Sequence, residues 1–120
     1  PITHSRKQVM FLNELEELLE LTRPEEFEQV IDPMFRYIAH CIQSSHFQVA
    51  ERALFFWNNE YIVHMILHYR AKILPLVFAS LQKNVQGHWN QNVVSLSHNV
   101  QKLMAEMDIE LYEHEADLYE

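Results

Sequence analysis

The sequence predicts an all-α fold of antiparallel helix pairs, and three observations carry that expectation. Apolar residues recur at three- and four-residue steps along most of the chain, which is the spacing of one helix face. Turn formers are scarce, with one Gly and four Pro in 120 residues, and alternating β-branched runs are nearly absent. The third observation is an internal repeat. Shifted by 42 positions, Ile31 and Pro33 fall on Ile73 and Pro75, Met34 and Phe35 on Leu76 and Val77, His46-Phe47 on His88-Trp89, and Leu54 on Leu96. Each copy reads as a proline-bearing helix, a short polar turn, and a His-aromatic pair opening a second helix. A period of about 40 to 47 residues with two helices per unit is the HEAT or armadillo range. The expected architecture is therefore a HEAT/armadillo-like α-solenoid of about two and a half repeats.

The first helix, expected at about 5–22, reads as the second half of a preceding repeat. Phe11, Leu12, Leu15, Leu18 and Leu19, with Val9, form its stripe, and Glu14, Glu16, Glu17 and Glu20 lie mostly opposite. Arg23-Pro24 ends it. Pro24 suits the first turn of the next helix, where Glu25 and Glu26 favour the positive end of the dipole. That second helix, about 25–43, turns Phe27, Val30, Ile31, Met34, Phe35, Ile38 and Ile42 inward, and Pro33 should kink it by removing a backbone hydrogen bond. Ser44-Ser45 form the turn, with Ser45 the expected cap of a helix opening at His46.

The stretch 46–61 organises the rest. Phe47, Ala50, Leu54 and Trp57 share one stripe, Ala53 admits a close neighbour, and Glu51 and Arg52 are expected to stay solvated. Phe55 and Phe56 cannot both share that stripe, so at least one faces another helix layer or a partner. Asn58 and Asn59 interrupt the pattern as an N-cap for a segment starting at Glu60. Residues 60–68 are apolar on so many faces that enclosure is expected, and 25–68 reads as one repeat. The next, 70–118, opens with a helix to about Gln86 that points Ile73, Leu76, Val77 and Leu81 inward, carries Pro75, and ends at Gly87. One long final helix of about 30 residues is expected from His88, beyond the usual globular length. Its stripe is Trp89, Val93, Leu96, Val100, Leu103, Met104, Met107 and Leu111. Glu106, Asp108, Glu110, Glu113, Glu115, Asp117 and Glu120 crowd its end and oppose the helix dipole. With a start at Pro1, this reads as a fragment of a longer chain.

Several function classes find no support. A net charge of −8 without a basic cluster argues against nucleic acid and against an anionic membrane surface. Cys41 is the only cysteine, so no internal disulfide can form, and its neighbours Ile38, Ala39 and Ile42 suggest a buried, inert thiol. The expectation is a soluble intracellular protein of the cytoplasm and/or nucleus. His64 and His68, at i and i+4, could seat a zinc pair, but the HExxH pattern and a third ligand are missing. His114 sits between Glu113 and Glu115 on a solvated face. Cys41 has His40 and His46 near it in sequence but no strained or Gly-rich turn to build an oxyanion site. No catalytic residue, metal or cofactor is expected.

The run His-Phe-Gln-Val-Ala-Glu-Arg-Ala-Leu-Phe-Phe-Trp-Asn-Asn-Glu-Tyr, His46 to Tyr61, resembles the B-prime family of regulatory subunits of protein phosphatase 2A. Lys7 to Glu17, Ala71 to Pro75 and His88-Trp89-Asn90 extend the resemblance in order, so that it spans about 7–111. It implies the C-terminal part of a HEAT-like solenoid and a non-catalytic regulatory subunit. Such a subunit docks on the phosphatase scaffold and catalytic subunits and directs substrate choice, with substrate proteins met by the full-length solenoid. Dephosphorylation and its metals would belong to the catalytic partner, and the family's groove for short substrate motifs to more N-terminal repeats. His64 to Arg70 departs from the polar stretch usual there. Turns and helix starts form the exposed ridges of solenoids. The expected partner-binding residues are therefore Ser44, Ser45, His46, Gln86, Gly87, His88 and Asn90, with Asn58, Asn59 and Glu60 at the capped break. The alternative is a free-standing helical adaptor or dimerisation module using the long C-terminal helix.

Overall fold

Apolar periodicity becomes seven α-helices among residues 2–120, which the computed structural model describes, with side-chain surroundings from His4 onward. They are α1 (Ile2–Glu20), α2 (Pro24–Ile42), α3 (Phe47–Leu54), α4 (Glu60–His68), α5 (Arg70–Gly87), α6 (Gln91–Met107) and α7 (Ile109–Tyr119), with a 3-10 turn at Phe55–Asn58 after α3. No strand occurs among the described residues. Helices α2 and α5 lie side by side in one layer, and α1, α3 and α6 in the other. Helix α2 packs on α3, α5 packs on α6, and α7 folds back over α5 and α6. The body measures 39 × 34 × 21 Å, and its thinnest dimension is about two helix diameters of ~10 Å. This is an all-α solenoid whose core lies between the layers.

Phe27, Phe35, Ile38, Leu54, Phe56, Ile66, Ile73 and Leu81 are fully enclosed there, each contributing about 1.5–3 kcal/mol by leaving water. Positions one repeat apart meet directly. Asn84, 2% exposed, donates its amide to the Ile42 carbonyl at 2.7 Å and to Ser97 Oγ at 3.0 Å, so a buried polar side chain is satisfied by the preceding repeat and by its own together. Pro33 and Pro75 occupy exposed positions of α2 and α5. The carbonyls they leave without a helical donor, on Gln29 and Ala71, belong to exposed residues and can bond water, which lets both helices continue past the ring.

Several expectations need correction. In α1 only Leu12, Leu15 and Leu19 of the stripe are buried, while Phe11 and Leu18 are 49% and 62% exposed, because α3 and α4 cover one side of the helix alone. Arg52 is not solvated. Its guanidinium bonds Glu16 and Asn13 on α1 and lies 5.3 Å from the Phe56 ring centre. Helix α4 is enclosed through Ile62, Met65 and Ile66, yet Leu67 remains 39% exposed. Gly87 is the last residue of α5 and has no positive φ, so no left-handed cap is built on it. The long final helix does not form. The chain leaves the helix at Asp108, at φ −163° and ψ 91°, and Asp108 Oδ1 accepts the Leu111 N–H at 3.1 Å to start α7. The apolar period runs through this break, since Met107 and Leu111 both face the core cluster, and it conceals the Asp cap. Among the described residues no single helix is long and apolar enough to cross a membrane.

Candidate functional site

The residues expected to bind partners fall into two groups at opposite ends of α3. The first is the pair of turns joining α2 to α3 and α5 to α6, which stack on one another. His88 Nε2 lies 2.8 Å from the Ser44 carbonyl. A carbonyl only accepts, so Nε2 carries the proton and Nδ1 is left to accept the Asn90 N–H at 3.0 Å. The His88 ring is thus bonded on both nitrogens and oriented by backbone alone. Beside it, Trp89 Nε1 donates to the Ser45 carbonyl at 2.8 Å and the indole meets Phe47 edge-on, 5.9 Å between ring centres. The His-aromatic pair of one repeat therefore clasps the turn of the repeat before it.

Local chemistry explains the rest of this ridge. Asn90, rather than His88, caps α6, with Oδ1 accepting the Val93 N–H at 3.0 Å. His46 holds the equivalent position before α3 but makes no side-chain cap. Ser45 does not cap α3 either; Ser44 Oγ accepts the His46 N–H at 3.1 Å and tightens the turn instead. Ser45, His46, Gln86 and Gly87 are exposed, whereas Ser44, His88 and Asn90 are half-buried and occupied internally. Trp89, expected in the helical stripe, lies outside the helix and is 67% exposed. Asn90 was the available signal, because an Asn just ahead of an apolar period suits an N-cap and so leaves Trp89 outside the helix.

The second group surrounds the break after the 3-10 turn. Asn59 accepts the Ile62 N–H at 3.1 Å on Oδ1 and donates Nδ2 to Glu16 at 2.8 Å, so it caps α4 and ties it to α1. Asn58 and Glu60 on either side are exposed. Phe56 is buried and Phe55 is 39% exposed. Trp57 Nε1 points at Met104 Sδ, 3.3 Å away, across to α6. The Asp108 break, which the apolar pattern hid, is tied in the same manner: Arg70 Nε donates to Oδ2 at 2.8 Å. That hydrogen bond, then the Leu111 N–H, holds the Asp108 carboxyl below its ordinary value.

Among the described residues, the side chains with reactive potential are held apart from one another. Cys41 is buried and free, and burial pushes its thiol up, which is the environment of an unreactive sulfur. His64 and His68 are exposed, with the His68 ring against Tyr69. Among the described residues no three His, Cys, Asp or Glu side chains gather as metal ligands.

Comparison with known proteins gives these surfaces their context. The model of the family described as "Protein phosphatase 2A regulatory B subunit (B56 family)" matches residues 1–120. The B′ theta isoform of the 57 kDa regulatory subunit of serine/threonine protein phosphatase 2A from Arabidopsis thaliana is 55% identical over 112 residues, covering 93% of this chain and 23% of that protein. The B′ alpha isoform of the same plant is 52% identical over 120 residues, 100% of this chain and 24% of that protein. The 56 kDa regulatory subunit delta isoform of Homo sapiens is 50% identical over 113 residues, 94% of this chain and 19% of that protein. The chain thus spans between 19% and 24% of the length of these relatives. With a family match over every residue and half or more of the aligned positions identical, the chain belongs to the B56 family of protein phosphatase 2A regulatory B subunits.

Proposed function

We propose that the chain acts as part of a non-catalytic regulatory subunit of the Ser/Thr phosphatase, docking on its scaffold and catalytic subunits and helping to direct it to substrate proteins. The observation that carries this reading is the identity of 50–55% to named regulatory subunits over 93–100% of the chain. The fold supplies the physical part. A solenoid whose consecutive turns are clasped to one another presents a stiff ridge, and a stiff ridge spends little conformational entropy on docking. Ser45, His46, Gln86 and Gly87 are the ridge positions whose side chains or backbone remain open to a partner. The setting is intracellular, cytoplasmic and/or nuclear, in keeping with a lone reduced cysteine. The reading as a free-standing dimerisation module loses its basis, since the helix it relied on is broken at Asp108 and Val93, Val100 and Met104 of its stripe are spent on the core.

The test is calorimetric titration of the full-length protein carrying this chain into the scaffold–catalytic core. Ser45→Glu with Gln86→Glu changes exposed side chains alone and is expected to weaken binding at least tenfold with an unchanged thermal melt. Unchanged binding by the folded variant would place the docking affinity in other repeats.

A further inference from the structure

Two depressions in the α1–α3–α6 layer adjoin, sharing Trp57, Asn58 and Leu103. One, of about 130 Å³, runs between the end of α3 and α6 past Phe55, Leu96 and Asn99. The other, of about 400 Å³, continues over the start of α4 past Glu60, His64 and Leu67. The floor is apolar, with Leu96 and Leu103 half-buried and Phe55 and Leu67 each 39% exposed. Asn58 and Asn99 are exposed at its sides, and among the described residues neither side-chain amide has a hydrogen-bond partner. Glu60 is the one carboxylate among the lining residues and is likewise without an ion pair.

We propose that this groove holds an extended segment of a partner protein, with apolar side chains at alternate positions and a Lys or Arg at the position that reaches Glu60. A primary amide offers a donor and an acceptor together, so Asn58 and Asn99 can each take the N–H and C=O of one extended residue. The floor between them receives the side chains that point the same way, every second residue. Glu60 supplies the charge complement. On α6, Leu96 to Leu103 rises about 10 Å, the span of about three extended residues at ~3.3 Å each. Glu60 to Leu67 on α4 adds a similar length, so the groove suits about six residues. This deepens the assignment of Asn58 and Glu60 to a partner-facing surface and is separate from docking through the stacked turns.

A phage-displayed heptapeptide library, selected on the immobilised full-length protein without scaffold or catalytic subunit, tests it independently of the ridge titration. Enriched peptides are then labelled with fluorescein for polarisation measurements. The expected result is apolar residues at alternate positions with one Lys or Arg at a fixed place among them, and affinity at least tenfold lower for Asn58→Ala with Asn99→Ala. Selection repeated on Glu60→Lys should exchange that Lys or Arg preference for Asp or Glu. A photo-crosslinking version of the best peptide keeps the test independent of the variants' folding, and its label should fall within 54–67 and 96–103 of the unaltered protein. No enrichment, as when another part of the full-length protein covers the groove, overturns the proposal. So do apolar spacing of three and four, crosslinks elsewhere, or affinities indifferent to the substitutions.

Discussion

The breaks at Asn59 and Asp108 solve one problem with opposite chemistry. In each, a side-chain oxygen accepts the N–H three residues on, and the other side-chain atom reaches into a neighbouring element. At Asn59 that atom is an amide donor meeting the Glu16 carboxylate; at Asp108 it is a carboxylate oxygen meeting the Arg70 guanidinium. The helices that follow differ more than the caps do. Helix α4 buries Ile62, Met65 and Ile66, whereas α7 has no buried residue and rests on half-buried contacts such as Tyr112 against Phe78, ring centres 5.3 Å apart. A cap decides where a helix starts, and burial decides how firmly it stays.

The largest loss of stability is expected in the core of α4. Ile66→Ala removes a side chain with 0% exposure and is expected to cost about 2–5 kcal/mol, read as a lowered denaturation midpoint with an unchanged slope. Next in size is Asn59→Asp. It keeps the cap but sets a carboxylate against Glu16, where the amide donor had been, and should destabilise by about 1–3 kcal/mol. If its stability equals that of the parent, the Glu16 contact contributes nothing and the cap alone matters.

The counterpart, Asp108→Asn, keeps an acceptor for Leu111 and loses the charge that Arg70 meets, so a smaller loss is expected, confined to α7. Asp108 titrates below its ordinary value of 3.8 in the folded protein. Its contribution is therefore complete above the unfolded value and disappears as the pH falls through the lower, folded one. Hydrogen exchange of α7 amides should accelerate through that acid range in the parent more than in Asp108→Asn. The cap of α4 is an uncharged amide and gives no such dependence of its own. Smallest of all, Leu118→Ala changes a residue that is 67% exposed and should move stability by no more than about 0.5 kcal/mol. A larger effect would mean that α7 is held more tightly than its burial indicates.

These same breaks mark the boundary of what the sequence makes legible. Asn59 could be read in advance because Asn58 and Asn59 interrupt an apolar period, and Pro24, the prolines of α2 and α5, and the His-aromatic register were equally visible. Asp108 was not, since Met107 and Leu111 keep the three- and four-residue rhythm across it. A period reports which residues face the core and not whether the backbone between them stays helical. For α1, periodicity also overstates burial, because a stripe wide enough for two neighbours is wider than the face that α3 and α4 cover. Among the candidate site residues, position in a turn was readable from Ser44-Ser45 and Gly87. The internal use of His88 and the tie of Asn59 to α1 were not, because their partners, the Ser44 carbonyl and Glu16, lie in other elements.

The side-chain hydrogen bonds joining one repeat to the next link positions between 36 and 47 residues apart, from Arg52 with Glu16 to Trp57 with Met104. That interval has a meaning in time as well as in space. At ribosomal rates of about 5–20 residues per second, a repeat of this length leaves the exit tunnel roughly 2–9 s after its predecessor. Each new turn then finds the carbonyls it clasps already in place, and the chain can settle unit by unit while the remainder is still being made.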